Sequence, residues 1–180
     1  MEHLAATGAA TGAATAAAPA AWLQAVEGSA LAHLLRSSLW LYPAVETLHI
    51  LGFAVLMGAI VVYDLRLLLA PARAAAGASA DLAAWGRAVL PVARAGFALA
   101  LPMGLLLFTV EATAYAANPA FRLKLVLIAL ALANVALFHA LTARRQRRPP
   151  PSRRTARLVA GGSLLLWCGV LVCGRLIAYV

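Results

Sequence analysis

Four stretches of the chain are almost uninterruptedly apolar: residues 43–69, 90–114, 121–141 and 158–180. A helix that crosses a bilayer needs about 20 such residues. None of the four alternates with the period of two that marks a half-buried strand. In lipid, a helix is the open-chain way to satisfy every backbone N–H and C=O. The pattern predicts an all-α integral membrane protein with four spans. Ionisable residues mark the span edges: His49 and Asp64, Arg94 and Glu111, Lys124 and His139, Arg157 and Arg175. These pairs are 15, 17, 15 and 18 residues apart, about 22–27 Å at the rise of a helix. That is slightly less than the hydrocarbon core, so the eight residues sit just inside its edges, where long side chains snorkel outward.

The connections are compact. They comprise an Ala-rich loop over residues 70–89, a tight turn at Asn118-Pro119, and a segment over residues 142–155 containing Pro149-Pro150-Pro151. Short connections place successive helices antiparallel, hence an up-down four-helix bundle. Pro102 should kink the second span. Residues 1–20 are nearly all Ala, Thr and Gly and read as a flexible tail. They lack the basic start and Leu-rich core of a cleaved signal peptide. Over residues 21–42 the chain sets Trp22, Leu23, Val26, Leu31, Leu34 and Leu35 among Gln24, Glu27, His33 and Arg36. That is the pattern of an amphipathic helix lying in the membrane interface. Gly28-Ser29 is a place to break it in two, and Trp40 and Tyr42 stand where an aromatic belt would.

Composition agrees: 64% of residues are hydrophobic and 12% charged, with a mean hydropathy of +0.88. A soluble chain of 180 residues has too much surface for its volume to hide that much apolar material, and a disordered chain is not hydrophobic. The net charge of +9 suggests nucleic acid until it is divided by the spans. The face that holds the N-terminus, face A, carries Arg36, Arg122, Lys124 and Arg175 against Glu2, Glu27, Glu46 and Glu111. The opposite face B carries the other eleven basic residues against Asp64 and Asp81. The whole excess lies on face B. The positive-inside rule then puts face B in the cytoplasm and both termini outside, as in a bacterial inner-membrane protein with periplasmic ends. Arg144, Arg145, Arg147, Arg148, Arg153, Arg154 and Arg157 form the densest part of this charge. Without interleaved aromatics, and with three prolines, they read as a topology anchor and not as a nucleic-acid site.

Ionisable residues inside a membrane are candidates for function. Counting residues along antiparallel spans brings Glu46, His49, Glu111, Lys124 and Arg175 to a similar depth near face A. Glu46 is one turn from His49 on the same helix face. Nearer face B are Asp64, Arg66, Arg94 and His139. Asp64 and Arg94 are expected to form a structural ion pair between the first two spans, and His139 is the last polar residue before the Arg-rich segment. His49 and His139 should be about 20 Å apart along the axis, too far to bind one iron between them. Gly52, Gly58, Gly96, Gly104, Gly161, Gly162, Gly169 and Gly174 permit close helix contact, including a homodimer. Cys168 and Cys173 point about 140° apart, which fits neither a redox pair nor a zinc site. There is no phosphate loop, GxSxG or HExxH.

The run Trp40-Leu41-Tyr42-Pro43, Glu46-Thr47-Leu48-His49 and Asp64-Leu65-Arg66, with Asn118-Pro119, Lys124-Leu125, His139 and the ending Gly174-Arg175-Leu176-Ile177-Ala178-Tyr179, resembles an uncharacterised bacterial four-span family, a domain of unknown function, over residues 30–180. More distantly, Leu48-His49 with Gly58, Tyr63 and Arg66, and Lys124-Leu125 with His139, are similar to two spans of HemJ-type membrane protoporphyrinogen oxidases. That resemblance implies haem b, with a functional histidine and lysine at His49 and Lys124. If the protein is an enzyme, it implies a haem-dependent membrane oxidoreductase with a membrane redox partner. On this reading His49 is the metal ligand, Glu46 orients it, and Lys124, Arg175 and Glu111 complete the cofactor site. Copper-resistance D-type membrane proteins have a similar pattern of helices, but Met57 and Met103 are the only internal methionines, too few for a copper path. The alternative expectation is a non-enzymatic membrane module, an accessory subunit or small transporter, whose charges tie helices together.

Overall fold

The computed structural model describes residues 20–69, 78–143 and 152–179. They form seven helices: α1 (Ala21–Glu27), α2 (Ala30–Ser37), α3 (Leu41–Leu69), α4 (Ala78–Val110), α5 (Ala112–Ala117), α6 (Pro119–Ala143) and α7 (Arg153–Leu176). Four of these contain stretches long and apolar enough to cross a membrane: Leu41–Leu69, Ala84–Val110, Pro119–Phe138 and Arg154–Leu176. The protein is an all-α four-helix bundle and a multi-pass membrane protein. Most of each span's apolar surface points outward, with Leu69, Leu158 and Leu165 each more than two-thirds exposed. In water such a surface would be a large exposed patch; in lipid it is the solvated side.

The contacts establish direction. His49, early in α3, meets Ala100 and Gly104, late in α4. Asn134, late in α6, donates to Val159 O, early in α7, at 3.1 Å. Successive spans are therefore antiparallel. α3 packs on α4 and on α7, and α7 packs on α6. Among the described residues, α4 and α6 have no Cα pair within 8 Å, and side chains alone bridge them, through the stacked Phe108 and Phe121 rings at 5.5 Å.

Two apolar clusters hold the bundle. The larger joins Leu56 and Ala59 of α3, Ala93 of α4, Ala131 of α6, and Trp167 and Val170 of α7. The smaller joins Leu35 of α2, Val45 of α3 and Val110 of α4, and so ties the N-terminal helices to the span ends. The tightest seam lies between α3 and α4. A Cβ added at Gly96 would lie 2.5 Å from Leu56 N, and one at Gly52 would lie 2.7 Å from Ala100 N. Backbone touches backbone there, which only glycine permits.

Several boundaries differ from expectation. The loop expected over residues 70–89 is helical from Ala78 onward, because its Ala-rich sequence is strongly helix-forming. α4 is continuous through Pro91 and Pro102, each of which withholds one N–H from the helix ladder. The second span instead stops at Glu111, whose φ of −141° and ψ of 54° separate α4 from α5. The expected break at Gly28-Ser29 is present, with Ser29 Oγ capping α2 by accepting from Ala32 N at 3.3 Å. Asn118 caps α6, accepting from Phe121 N at 3.1 Å, with Pro119 at the first helical position that suits it. Residues 1–19 and 144–151, which hold most of the Ala-rich tail and Arg144, Arg145, Arg147 and Arg148, lie outside the described residues, as does the Arg153 side chain.

Candidate functional site

His49 occupies the α3–α4 seam one turn from Gly52. Its Nδ1 is 2.8 Å from Ala100 O. A carbonyl can only accept, so Nδ1 carries a hydrogen, and in the neutral ring Nε2 then holds the lone pair. The ring rests on Gly104, where an added Cβ would come within 2.8 Å of His49 Cε1. The small residues Gly96, Ala100 and Gly104, spaced four apart, form one stripe of α4. That stripe brings the backbone close enough for an imidazole to use a helix carbonyl as its anchor.

Glu46 and Lys124 both act on His49 electrostatically. Glu46 is exposed, one turn toward face A. Lys124 is half-buried on α6; its Nζ would be 3.7 Å from a Cβ at Gly174, and Cys173 is its other neighbour. Lys124 meets no carboxylate among the described residues. Tyr115 of α5 and Tyr42 of α3 are hydrogen-bonded side chain to side chain above this site. Burial, followed by the Tyr42 hydroxyl and the charges of Glu111 and Glu46, pushes the Tyr115 phenol up to about 12, so it remains a neutral donor. Tyr115 also packs on Phe121 at 5.6 Å.

Of the five residues expected at one depth, four belong to this neighbourhood: Glu46, His49 and Lys124 directly, and Glu111 through its effect on Tyr115. Arg175 does not converge with them. It is exposed, hydrogen-bonded to the Tyr179 hydroxyl, and stacked over that ring at 4.9 Å. A nearby aromatic acceptor one turn ahead holds the guanidinium outside the site.

The expected Asp64–Arg94 ion pair is absent. Asp64 is turned to α7 and is hydrogen-bonded to the Ser163 side chain, while Arg94 is exposed with Nε 3.4 Å from Leu90 O. The reason is helix rotation. Ala93, Gly96 and Ala100 are the buried positions of this part of α4, and Arg94 falls about 100° away from Ala93. Asp64 lines a cavity of about 60 Å³ at the face B half of the bundle. The His139 side chain lies outside the described residues.

Three side chains have partners that the sequence did not indicate. Arg36 of α2 donates through Nη1 to Val110 O at 2.7 Å and through Nη2 to Glu27 O at 2.6 Å. Glu27 Oε2 accepts from Thr113 N at 3.1 Å and Thr113 Oγ1 at 2.6 Å. One side chain thus closes the C-terminus of α4 and the other opens the N-terminus of α5, each with the charge the helix end favours. Arg66 lies over the Trp85 ring at 4.3 Å.

Among the described residues no three His, Cys, Asp or Glu side chains form a group able to hold a bare metal ion. Cys168 is exposed and Cys173 buried, both as free thiols. Comparison with protein-family models, with curated proteins and with solved structures yields no match to this chain. The molecule is thus characterised by its own residues: a multi-pass helical membrane protein with a histidine-centred polar site in one half of its bundle and a buried carboxylate in the other.

Proposed function

We propose that this is a bacterial inner-membrane protein that binds haem b through His49 near the periplasmic face and acts in redox or haem-related chemistry. The observation that carries the reading is the anchored imidazole. A haem-ligating histidine commonly has its second ring nitrogen fixed by a carbonyl or carboxylate, which sets the tautomer and the ring orientation. His49 has the anchored half of that arrangement, with Nδ1 on Ala100 O; Nε2 would be the metal ligand. The residues fit the group in charge as well. Lys124 is half-buried beside the histidine and meets no carboxylate among the described residues, so it can face a propionate. Glu46 lies one turn away and Tyr115 supplies a neutral phenol. Arg175 is committed to Tyr179 and is left out of the ligand set. Bound there, haem would supply one-electron chemistry; the protein's part is to orient the imidazole on Ala100 O and keep Lys124 close. The two-span likeness of the sequence to HemJ-type oxidases points the same way. The orientation, with both termini outside and the Arg-rich segment in the cytoplasm, rests on the charge excess of face B. Arg154 and Arg157 in the first turns of α7 support it, since cations there oppose the helix dipole and must be favoured by something else.

The experiment is a visible spectrum of the detergent-purified protein after expression with added haem. A Soret band that is lost or shifted in His49→Ala is the expected result. No band, or one unchanged in His49→Ala, sinks the proposal. The competing reading, a non-enzymatic accessory subunit or small transporter, draws on the Glu27 and Arg36 contacts, which show ionisable residues serving as ties. Under it His49→Ala lowers thermal stability with no spectral consequence.

A further inference from the structure

Asp64 lies in the apolar stretch of α3 and is 6% exposed. One carboxylate oxygen is held by Ser163. The other, Oδ2, is enclosed and has no hydrogen-bond partner among the described residues. The cavity it lines, about 60 Å³, draws its wall from all four spans, including Tyr63, Leu90, Asn134 and Ser163. The space is large enough for a water, which needs roughly 10–15 Å³ and two or more polar partners; the wall seals Oδ2 from it, so proton access needs a side-chain movement.

The charges around this group are few. Among the described residues Tyr63 of α3 is the one titratable neighbour in the wall; the His139 side chain, next in sequence to Phe138 of that wall, lies outside them. α4 contributes Val89, Leu90 and Ala93, α6 contributes Asn134, Val135 and Phe138, and α7 contributes Val159 and Ser163. Arg66 is stacked on Trp85 and Arg94 is exposed, so neither stands in the cavity as a counter-ion. Asn134 spends its amide N–H on Val159 O. A structural tie between α3 and α7 needs only a hydroxyl or an amide. A buried carboxyl left with a spare oxygen beside a cavity, with no fixed cation on it among the described residues, is suited to a mobile one. The wall is too apolar to surround a metal cation with oxygens, as hard cations require.

We infer that Asp64 is a reversible proton-binding site of the membrane domain, in which Oδ2 takes up and releases one proton through the cavity among the four spans. The only bond formed or broken is O–H, and the group alternates between a carboxylate and a neutral carboxyl. Intramembrane acids of this kind mark proton pathways. The site is about 22 Å along α3 from His49 and stands apart from the haem reading.

Dicyclohexylcarbodiimide adds to protonated carboxyls in apolar surroundings, and mass spectrometry locates the adduct. The full-length protein, in detergent or in vesicles, is expected to be labelled at Asp64, several-fold more in mildly acidic than in mildly alkaline buffer. Asp64→Asn should abolish that label, and replacing choline chloride with sodium chloride should leave it unchanged. Ser163→Ala, which keeps the carboxyl but frees its second oxygen, should retain the label and its pH dependence. If Asp64→Asn does not fold, the wild-type and Ser163→Ala profiles still decide. An unlabelled Asp64, or labelling indifferent to pH, overturns the inference. Protection by sodium overturns it in favour of a metal-cation site.

Discussion

His49 and Asp64 project from the same helix, yet one is anchored and the other is half-partnered. At His49 the neighbouring helix is so close that its backbone is within reach, because Gly52 and Gly96 let α3 and α4 touch. The imidazole therefore anchors on Ala100 O. Around Asp64 the walls are Val89, Leu90, Val135 and Phe138, side chains bulky enough to hold backbones apart. Only another side chain, Ser163, can reach the carboxylate, and a void remains beside it. Where small residues line a seam, helix carbonyls become partners for polar groups. Where large residues line it, a polar group depends on finding a polar opposite.

The most forceful way to break this contrast is Gly96→Leu. Its Cβ alone would lie 2.5 Å from Leu56 N, so α3 and α4 must separate, and overpacking of this kind costs about 3 kcal/mol. Thermal unfolding in detergent should register that loss, and any spectral signature of His49 should go with it. Unchanged stability would mean that the seam is not where these helices meet. Ser163→Ala sharpens the other side of the contrast. It removes the one hydrogen-bond partner that Asp64 has among the described residues and should lower stability by about 1–2 kcal/mol, whereas Val135→Ala, which trims a side chain of the cavity wall, should leave the labelling profile of Asp64 unchanged. The smallest effect is at the N-terminal helices. Thr113, through its hydroxyl first and its amide second, holds the Glu27 carboxyl below the usual range. A depressed pKa gives a contribution present above the ordinary carboxylate value and lost as pH falls through the lower folded value. Hydrogen exchange at the Thr113 amide should therefore speed up in acid beyond its intrinsic rate. Glu27→Gln should abolish that acid dependence; identical profiles would discount the contact.

The spans were legible because an apolar run of membrane length admits one structure in lipid. The break at Gly28-Ser29 was legible because glycine and a capping serine are local signals. The break at Glu111 was not. No glycine or proline marks it, and it depends on Arg36 and Glu27, more than seventy residues earlier in the chain. The start of α4 was hidden because alanine favours helix while adding little to hydropathy. For the candidate site, counting residues established depth but not rotation. It put Glu46, His49 and Lys124 at one level, and Glu46 and Lys124 do act on His49 electrostatically; it placed Arg175 with them when its own Tyr179 holds that side chain away, and it paired Asp64 with Arg94, which points off the α3 side of α4. Rotation is decided by which small residues form the seam, and that choice is not encoded in any single span.

The glycines of the α3–α4 seam also differ in what would have to change if they did. At Gly52 and Gly96 the obstacle to a side chain is main chain, which no second substitution can trim. At Gly104 the obstacle is the His49 ring, which a substitution can remove. Across related sequences, then, the first two should be invariant whatever their neighbours. Position 104 should be free to become alanine wherever position 49 has ceased to be histidine, so that the two vary as a pair.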